Sequence, residues 1–193
     1  MSNNNQLSNW WDESRLGNVN AFGYIHRELY PVLYRYMFKI IKDEDICQDL
    51  LQDVFVKLWE RKGTIGPIRF VKVYFFRTAR SLAINHLKCL KNNNVPFEEG
   101  MEPDMVFSPE EVLMGNEHHA EVSKILTMAL NTLPKRQREM IFLKYFDGWS
   151  YDEISAVTGI NYQSVVNHVH RGIIQLRGGI TNANPLQSCL LTV

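Results

Sequence analysis

Apolar residues recur at helical spacing along most of the chain, and no stretch alternates over five or more residues as a half-buried strand would. From Ala21 to Ile41 the pattern predicts one helix or two, with Phe22, Ile25, Leu29, Leu33 and the run Tyr36 to Ile40 apolar. Pro31 lies inside this stretch and predicts a helix start or a kink there. Asp43 to Arg61 reads as a long amphipathic helix with Ile46, Leu50, Val54, Phe55, Leu58 and Trp59 inward. Lys62 to Arg69 holds two Gly and one Pro and predicts a loop. Phe70 to Leu90 is helical again. Lys91 to Glu117 breaks the period with three Pro, two Gly and three consecutive Asn, and a short helix is expected only after Ser108. Ala120 to Thr132 is the next helix, and Pro134 opens another at a tolerated first-turn position.

The pattern then tightens. Ser150 and Glu153 have the spacing of a capping box, which starts a helix by pairing two orphan N–H groups reciprocally. Ile154 and Val157 give this short helix an apolar side. Gly159 can take the positive φ of a tight interhelical turn, and Asn161 is a good N-cap for the next helix. Val165, Val169, Ile173 and Leu176 keep helical spacing on an inner side. The other side carries Tyr162, Gln163, Ser164, Val166, Asn167, His170 and Arg171. Such hydrogen-bonding, apolar and cationic side chains suit base edges and phosphates, and the whole stretch reads as a helix-turn-helix. A plain helical hairpin would carry the same punctuation, so the rest of the chain has to decide.

The expected fold is all-α: two small helical domains joined by a flexible acidic linker, the C-terminal one a helix-turn-helix. The boundaries are a polar, Asn-rich and disordered N-terminus over 1–19, a first domain over 20–91, a linker over 92–119, a helix-turn-helix domain over 120–180 and a tail over 181–193. The 193 residues and 45 % apolar content suffice for two small cores. No run of about 18 apolar residues predicts a membrane span. The first residues show no basic start followed by an apolar core, so no secretory signal is expected. Cys47, Cys89 and Cys189 are odd in number and far apart, which argues against a disulfide framework and fits a reducing cytosol. His118 and His119 stand side by side without a second ligand cluster, so no metal is expected, and no cofactor or catalytic set is legible.

The zero net charge conceals a partition. Residues 20–91 hold 13 Lys/Arg against 7 Asp/Glu, a balance of +6. Residues 92–121 hold 8 Asp/Glu and no Lys or Arg, a balance of −8. Residues 134–178 hold 6 against 4, a balance of +2. The basic blocks can meet phosphates, which would repel the connector. Within the first block, Thr64 to Lys91 carries Arg69, Lys72, Arg77, Arg80, Lys88 and Lys91 and no acid. Interleaved are Phe70, Tyr74, Phe75 and Phe76, a mixture suited to a single strand, because cations track phosphates and rings stack on unpaired bases. Phe75 and Phe76 serve equally well as core. The preceding helix presents Asp49, Gln52, Asp53 and Glu60, an acidic face better suited to a protein partner than to DNA.

These residues also resemble a family. Asp49 to Trp59 (DLLQDVFVKLW) is similar to the D-L-x-Q-[DE]-x-F-x-x-x-W signature of sigma factors. Tyr74 to Lys88 resembles the segment that comes after it in the family, with Ser81 and Asn85 where Asn and Asp are usual. Leu133-Pro134 with Arg136-Gln137-Arg138, and then Ser150 to Arg177, resembles the family's C-terminal DNA-binding domain, with Val166 and His168 at positions often taken by Lys or Arg. The three motifs in this order are similar to those of the two-domain extracytoplasmic-function sigma factors, and their wording leans toward the Bacteroidetes branch. The resemblance implies a cytoplasmic protein that binds core RNA polymerase and promoter DNA, and an anti-sigma factor as partner. It implies that Asp49, Gln52, Asp53, Phe55 and Trp59 dock on the polymerase. The loop Gly63 to Arg69, with Arg69, Lys72, Tyr74, Arg77, Arg80 and Lys88, would hold the melted −10 element. The recognition helix would read the −35 element, Val166 against a thymine methyl, Asn167 at a base edge and His170 at a base or phosphate, with Ser164 and Arg171 on phosphates. The acidic linker would thread polymerase channels that otherwise hold nucleic acid. The alternative is a stand-alone helix-turn-helix regulator whose residues 20–91 form a sensor or dimerisation lobe.

Overall fold

The structure, a computed structural model, describes residues 4–91, 102–112 and 120–183. Among them every regular element is a helix. The chain divides into two compact units, residues 1–101 with 156–159 and residues 102–155 with 160–193.

The first unit is built from α1 (Asn4–Arg15), α2 (Val19–Ile41), α3 (Glu44–Ile65) and α4 (Val71–Lys91). Helix α2 packs against the other three. It is capped by Asn18, whose side chain accepts the Ala21 N–H, and it closes on Lys42 in the left-handed region at φ 61°. Pro31 sits inside α2 without ending it, on an exposed position. The helix start offered there as one of the two outcomes is therefore absent; buried apolar residues continue on both sides of Pro31. Asp43 caps α3 by accepting the Ile46 N–H. Helix α3 runs on through Lys62–Ile65, residues expected in the loop, and stops where Gly66 turns to φ 77°. The inner register of α3 is Cys47, Leu51, Val54, Phe55 and Leu58; Ile46, Leu50 and Trp59 are half-buried. Burial pushes the Cys47 thiol up to about 11, so it stays protonated.

The N-terminal residues overturn an expectation. Residues 1–19 read as disordered because they are polar and Asn-rich, yet α1 is a helix whose Leu7 and Trp11 are fully sequestered. Two apolar side chains one turn apart are enough to dock a polar helix when a core is waiting for them. Trp11 meets Phe75 edge-on at 6.1 Å.

The second unit holds α5 (Pro109–Val112), α6 (Ala120–Thr132), α7 (Lys135–Ile141), a π-helical turn (Phe142–Phe146), the first part of α8 (Tyr151–Thr158), up to Ser155, and α9 (Tyr162–Ala183). Pro134 stands one residue before α7, at its N-cap. The short helix expected after Ser108 is α5, begun by the Ser108 N–H donating to Glu111. Part of the expected linker belongs to this unit. Pro103, Met105 and Phe107 are buried while Val106 is exposed, an extended strap with period two. The Asn131 side chain holds the strap at both ends of one residue, donating to the Phe107 carbonyl and accepting its N–H, both at 2.9 Å. Arg138 donates to the Met105 carbonyl and to Asp104, each at 2.7 Å. Lys135 pairs with Asp104 at 3.0 Å and Arg136 with Glu102 at 2.7 Å. The strap is thus held here by the cations of α7. Residues 92–101, 113–119 (with His118 and His119) and 184–193 lie outside the described residues.

Because Phe107 is 2 % exposed and packs on Phe142 and Phe146, Phe107→Ala should destabilise the second unit by about 3–5 kcal/mol. Val106→Ala next to it should stay within about 0.5 kcal/mol. Denaturant unfolding of the two variants tests this; equal effects would mean that the strap is not part of the core.

Candidate nucleic-acid interface

The helix-turn-helix forms from the residues that predicted it. The Ser150 N–H and hydroxyl both donate to Glu153 at 2.8 Å, and the Glu153 N–H returns to the Ser150 hydroxyl. Ile154 and Val157 are buried. Gly159 takes φ 74°, and the Ser155 hydroxyl donates to the Ile160 carbonyl across the turn at 2.6 Å. Asn161 caps α9 by accepting the Ser164 N–H at 2.8 Å.

Helix α9 buries Val165, Val169 and Leu176, and Gly172 replaces Ile173 as the third inward position. A Cβ at Gly172 would lie 2.6 Å from the end of Ile141, so the missing side chain lets α9 close on α7. On the other side Tyr162, Gln163, Asn167, His170 and Arg171 are exposed, and Ser164 and Val166 are half-buried. Gln163, Asn167, His170 and Arg171 share one face by their spacing. Gln163 donates to the Asn167 amide oxygen at 3.3 Å, which leaves the Asn167 amide N–H groups for another partner. Two residues of this surface were not foreseen. Ile174 is exposed one turn beyond His170, and Lys144 reaches over the Tyr151 ring at 4.5 Å, which in turn meets Tyr162. Lys144 is too far away in sequence for any local pattern to have found it.

His168 faces inward from the same helix. Burial, then Arg136 and Arg171, hold its pKa below the usual 6.5, against a weaker pull from Glu102. A lowered folded pKa means that the neutral ring supports the fold.

The basic stretch divides on folding. Phe75 and Phe76 are core, fully buried. Arg69 and Arg77 are exposed, while Lys72, Tyr74, Arg80 and Lys88 are half-buried. Phe70, passed over as a site residue, is 48 % exposed beside the Arg69 guanidinium at 5.3 Å. An open groove of about 450 Å³ lies between α3 and α4. It brings Tyr74 and Arg77 together with Lys57, Arg61, Thr78 and Ser81 and has no acid in its lining. Lys57 and Arg61 escaped sequence reasoning because they sit on the helix whose other residues are acidic.

On that helix Asp49, Gln52 and Asp53 are exposed, with Val56 among them as an apolar centre. Asp53 pairs with Lys57 at 3.0 Å. Phe55 does not share this surface: it is 5 % exposed and touches Phe22, His26, Tyr30 and Phe75. The surface position expected of it is corrected to one in the core. Trp59 is half-buried, with Phe22 at 5.1 Å and the Lys62 ammonium 3.7 Å over its ring. Among the described residues no group of His, Cys, Asp or Glu could hold a metal, and no helix is long and apolar enough to cross a membrane.

Comparison with known proteins finds two family matches. A family model for Sigma-70 region 2 matches residues 25–92, and one for Sigma-70 region 4 matches residues 123–176. RNA polymerase sigma factor SigV of Bacillus subtilis is 26 % identical over 148 residues, spanning 77 % of this chain and 84 % of that protein. ECF RNA polymerase sigma factor SigL of Mycobacterium tuberculosis is 25 % identical over 166 residues, spanning 83 % and 92 %. Among solved structures, CnrH in complex with the cytosolic domain of CnrY aligns with a TM-score of 0.64 at 19 % identity, covering 93 % of this chain and 99 % of that one. The sigma factor RpoE from Bartonella quintana, in complex with the anti-sigma factor NepR, aligns at 0.57 and 20 % identity, covering 84 % and 98 %.

The His168 geometry has a pH consequence. Its contribution is present above pH 6.5 and is lost as pH falls below that value toward the lowered folded pKa. Thermal unfolding should therefore show wild type losing more stability than His168→Gln as pH drops from about 7 to about 5. Parallel curves would refute a neutral His168 in the fold.

Proposed function

The chain belongs to the sigma-70 family, among its extracytoplasmic-function members, and directs promoter-specific transcription initiation; on that premise we propose how its surfaces divide the work. Core RNA polymerase docks on the exposed face of α3, through Asp49, Gln52, Asp53 and Val56 with Trp59 at its margin. Carboxylates and an amide around one apolar side chain suit a basic protein partner and repel DNA.

The −10 element is held, melted, by the first unit. Arg69 and Phe70 offer a cation and a ring, and the groove behind them offers Arg77, Lys57 and Arg61 for phosphates and Tyr74 for an unpaired base. Stacking of that kind adds about 1–3 kcal/mol per base. Lys72, Arg80 and Lys88 contribute charge from half-buried positions. The −35 element is read in the major groove by α9, Asn167 at a base edge, Val166 at a methyl and Arg171, Ser164, Tyr162 and Gln163 around them, with His170 next to Asn167. The observation that carries this reading is the joint presence of an acid-free groove in one unit and a capped recognition helix in the other.

An anti-sigma factor is the expected regulator, since an aligned solved structure holds a sigma factor with such a partner. The setting is cytoplasmic, where the polymerase works. The role is regulatory rather than enzymatic.

Two measurements test this. Purified chain with core polymerase should start run-off transcription at a defined subset of a promoter library; initiation equal to that of core alone would sink it. Asn167→Ala should lose about 1–3 kcal/mol at one −35 position, whereas Arg171→Ala should weaken all sequences alike and lower the salt slope by about 1. The reverse pattern would exchange the two roles.

A further inference from the structure

The coil between α3 and α4, residues 66–70, is held from one side by α1. The Trp11 indole N–H donates to the Gly66 carbonyl at 2.9 Å, the Ser8 hydroxyl to the Ile68 carbonyl at 3.0 Å, and the Asn4 amide to the Arg69 carbonyl at 2.7 Å. The Phe70 carbonyl accepts the Tyr74 N–H at 3.1 Å. Positions 4, 8 and 11 lie on one face of a helix, so three consecutive turns of α1 grip three carbonyls of one loop. Trp11 is itself fully buried, and Leu7 with it, so this row of donors is anchored in the core. The loop needs such a splint. Pro67 has no N–H to offer, and Gly66 occupies a conformation that a glycine reaches easily and leaves easily. With its carbonyls turned to α1, the loop leaves Arg69 and Phe70 exposed.

We infer that α1 is a positioning element for promoter opening: Trp11, Ser8 and Asn4 fix the 66–70 loop so that Arg69 and Phe70 meet the −10 nucleotides in one geometry. This rests on the assignment of that loop to the −10 element. Side chains that touch a ligand discriminate only as well as the shell behind them is fixed. Loss of the donors should therefore blur the choice among −10 sequences before it lowers the stability of the unit. The Asn4 bond is the most exposed of the three and contributes least; the Trp11 bond, at the turn itself, contributes most.

The test uses the full chain with core polymerase, on one active promoter and its single-base −10 and −35 variants. Trp11→Phe keeps a ring in the core and removes the N–H. Asn4→Ala with Ser8→Ala removes the other two donors from positions of low folding risk. Both should reduce the ratio of initiation at the correct over the altered −10 by about five- to tenfold. The −35 ratio and the yield of assembled holoenzyme should not change. An unchanged −10 ratio, or a fall of equal size at every promoter, would overturn the inference and leave α1 a structural helix. Arg69→Ala and Phe70→Ala separate the two failures. If these also leave the −10 ratio untouched, the loop does not read the −10 element and both readings fall. If they lower it and the α1 variants do not, only the splint is wrong.

Discussion

Every surface of the first unit depends on one aromatic cluster. Phe55 of α3 and Phe75 of α4 meet at 5.5 Å, and around them stand Trp11 from α1 and Phe22, His26 and Tyr30 from α2. Rings of all four helices thus converge on one pair. Each such contact adds about 0.5–1.5 kcal/mol beyond area burial, and its tilted, edge-on or stacked geometry fixes rotation about the helix axis as well as distance. Rotation is what matters here. With Phe55 turned inward, Asp49, Gln52 and Asp53 must turn outward. With Phe75 and Phe76 inward, Tyr74 and Arg77 must line the groove. One core contact therefore separates an acidic face from an acid-free one within a single small bundle.

The second unit solves its problem differently. Its smaller ring cluster, Phe142 and Phe146, is completed by Phe107 recruited from the connector. Pro103, Met105 and Phe107 complete its core, while Glu102 and Asp104 meet Lys135, Arg136 and Arg138. The consequence for DNA is electrostatic. Three of the six cations counted in the 134–178 block are engaged by the strap, so the recognition surface relies on fewer cations than composition suggests. A helix with modest charge and a Gln163–Asn167 pair is suited to selecting a sequence rather than to holding any duplex tightly. On the proposed division of roles, affinity comes from the polymerase and the first unit.

Legibility from sequence followed the range of the forces involved. The α8–turn–α9 motif was read almost residue by residue, because capping boxes, N-caps and glycine turns act over three or four residues. The acid-free stretch was equally plain, because charge needs no partner to be counted. Apart from the end of α3, which runs past Gly63 to stop at Gly66, the failures were non-local. Leu7 and Trp11 looked too sparse to order a polar segment, and only a waiting Phe75 makes them an anchor. The strap was missed because its alternation is short and Val106 blurs it. Lys57, Arg61 and Lys144 joined their surfaces through space, from helices assigned to other work.

By itself the sequence determined the all-α character, the position of the helix-turn-helix, the charge partition and the family resemblance, because each is set by local periodicity or by composition. Tertiary structure alone decided which aromatic of the basic stretch is core and which is surface, so that Phe75 and Phe76 went inside while Phe70 stayed out. It also decided that an Asn-rich start would become a helix gripping the 66–70 loop, and that an acidic connector would lie along cations. Those outcomes depend on which faces meet, and the hydrophobic and ionic energies that choose between faces exist only once the partners are adjacent.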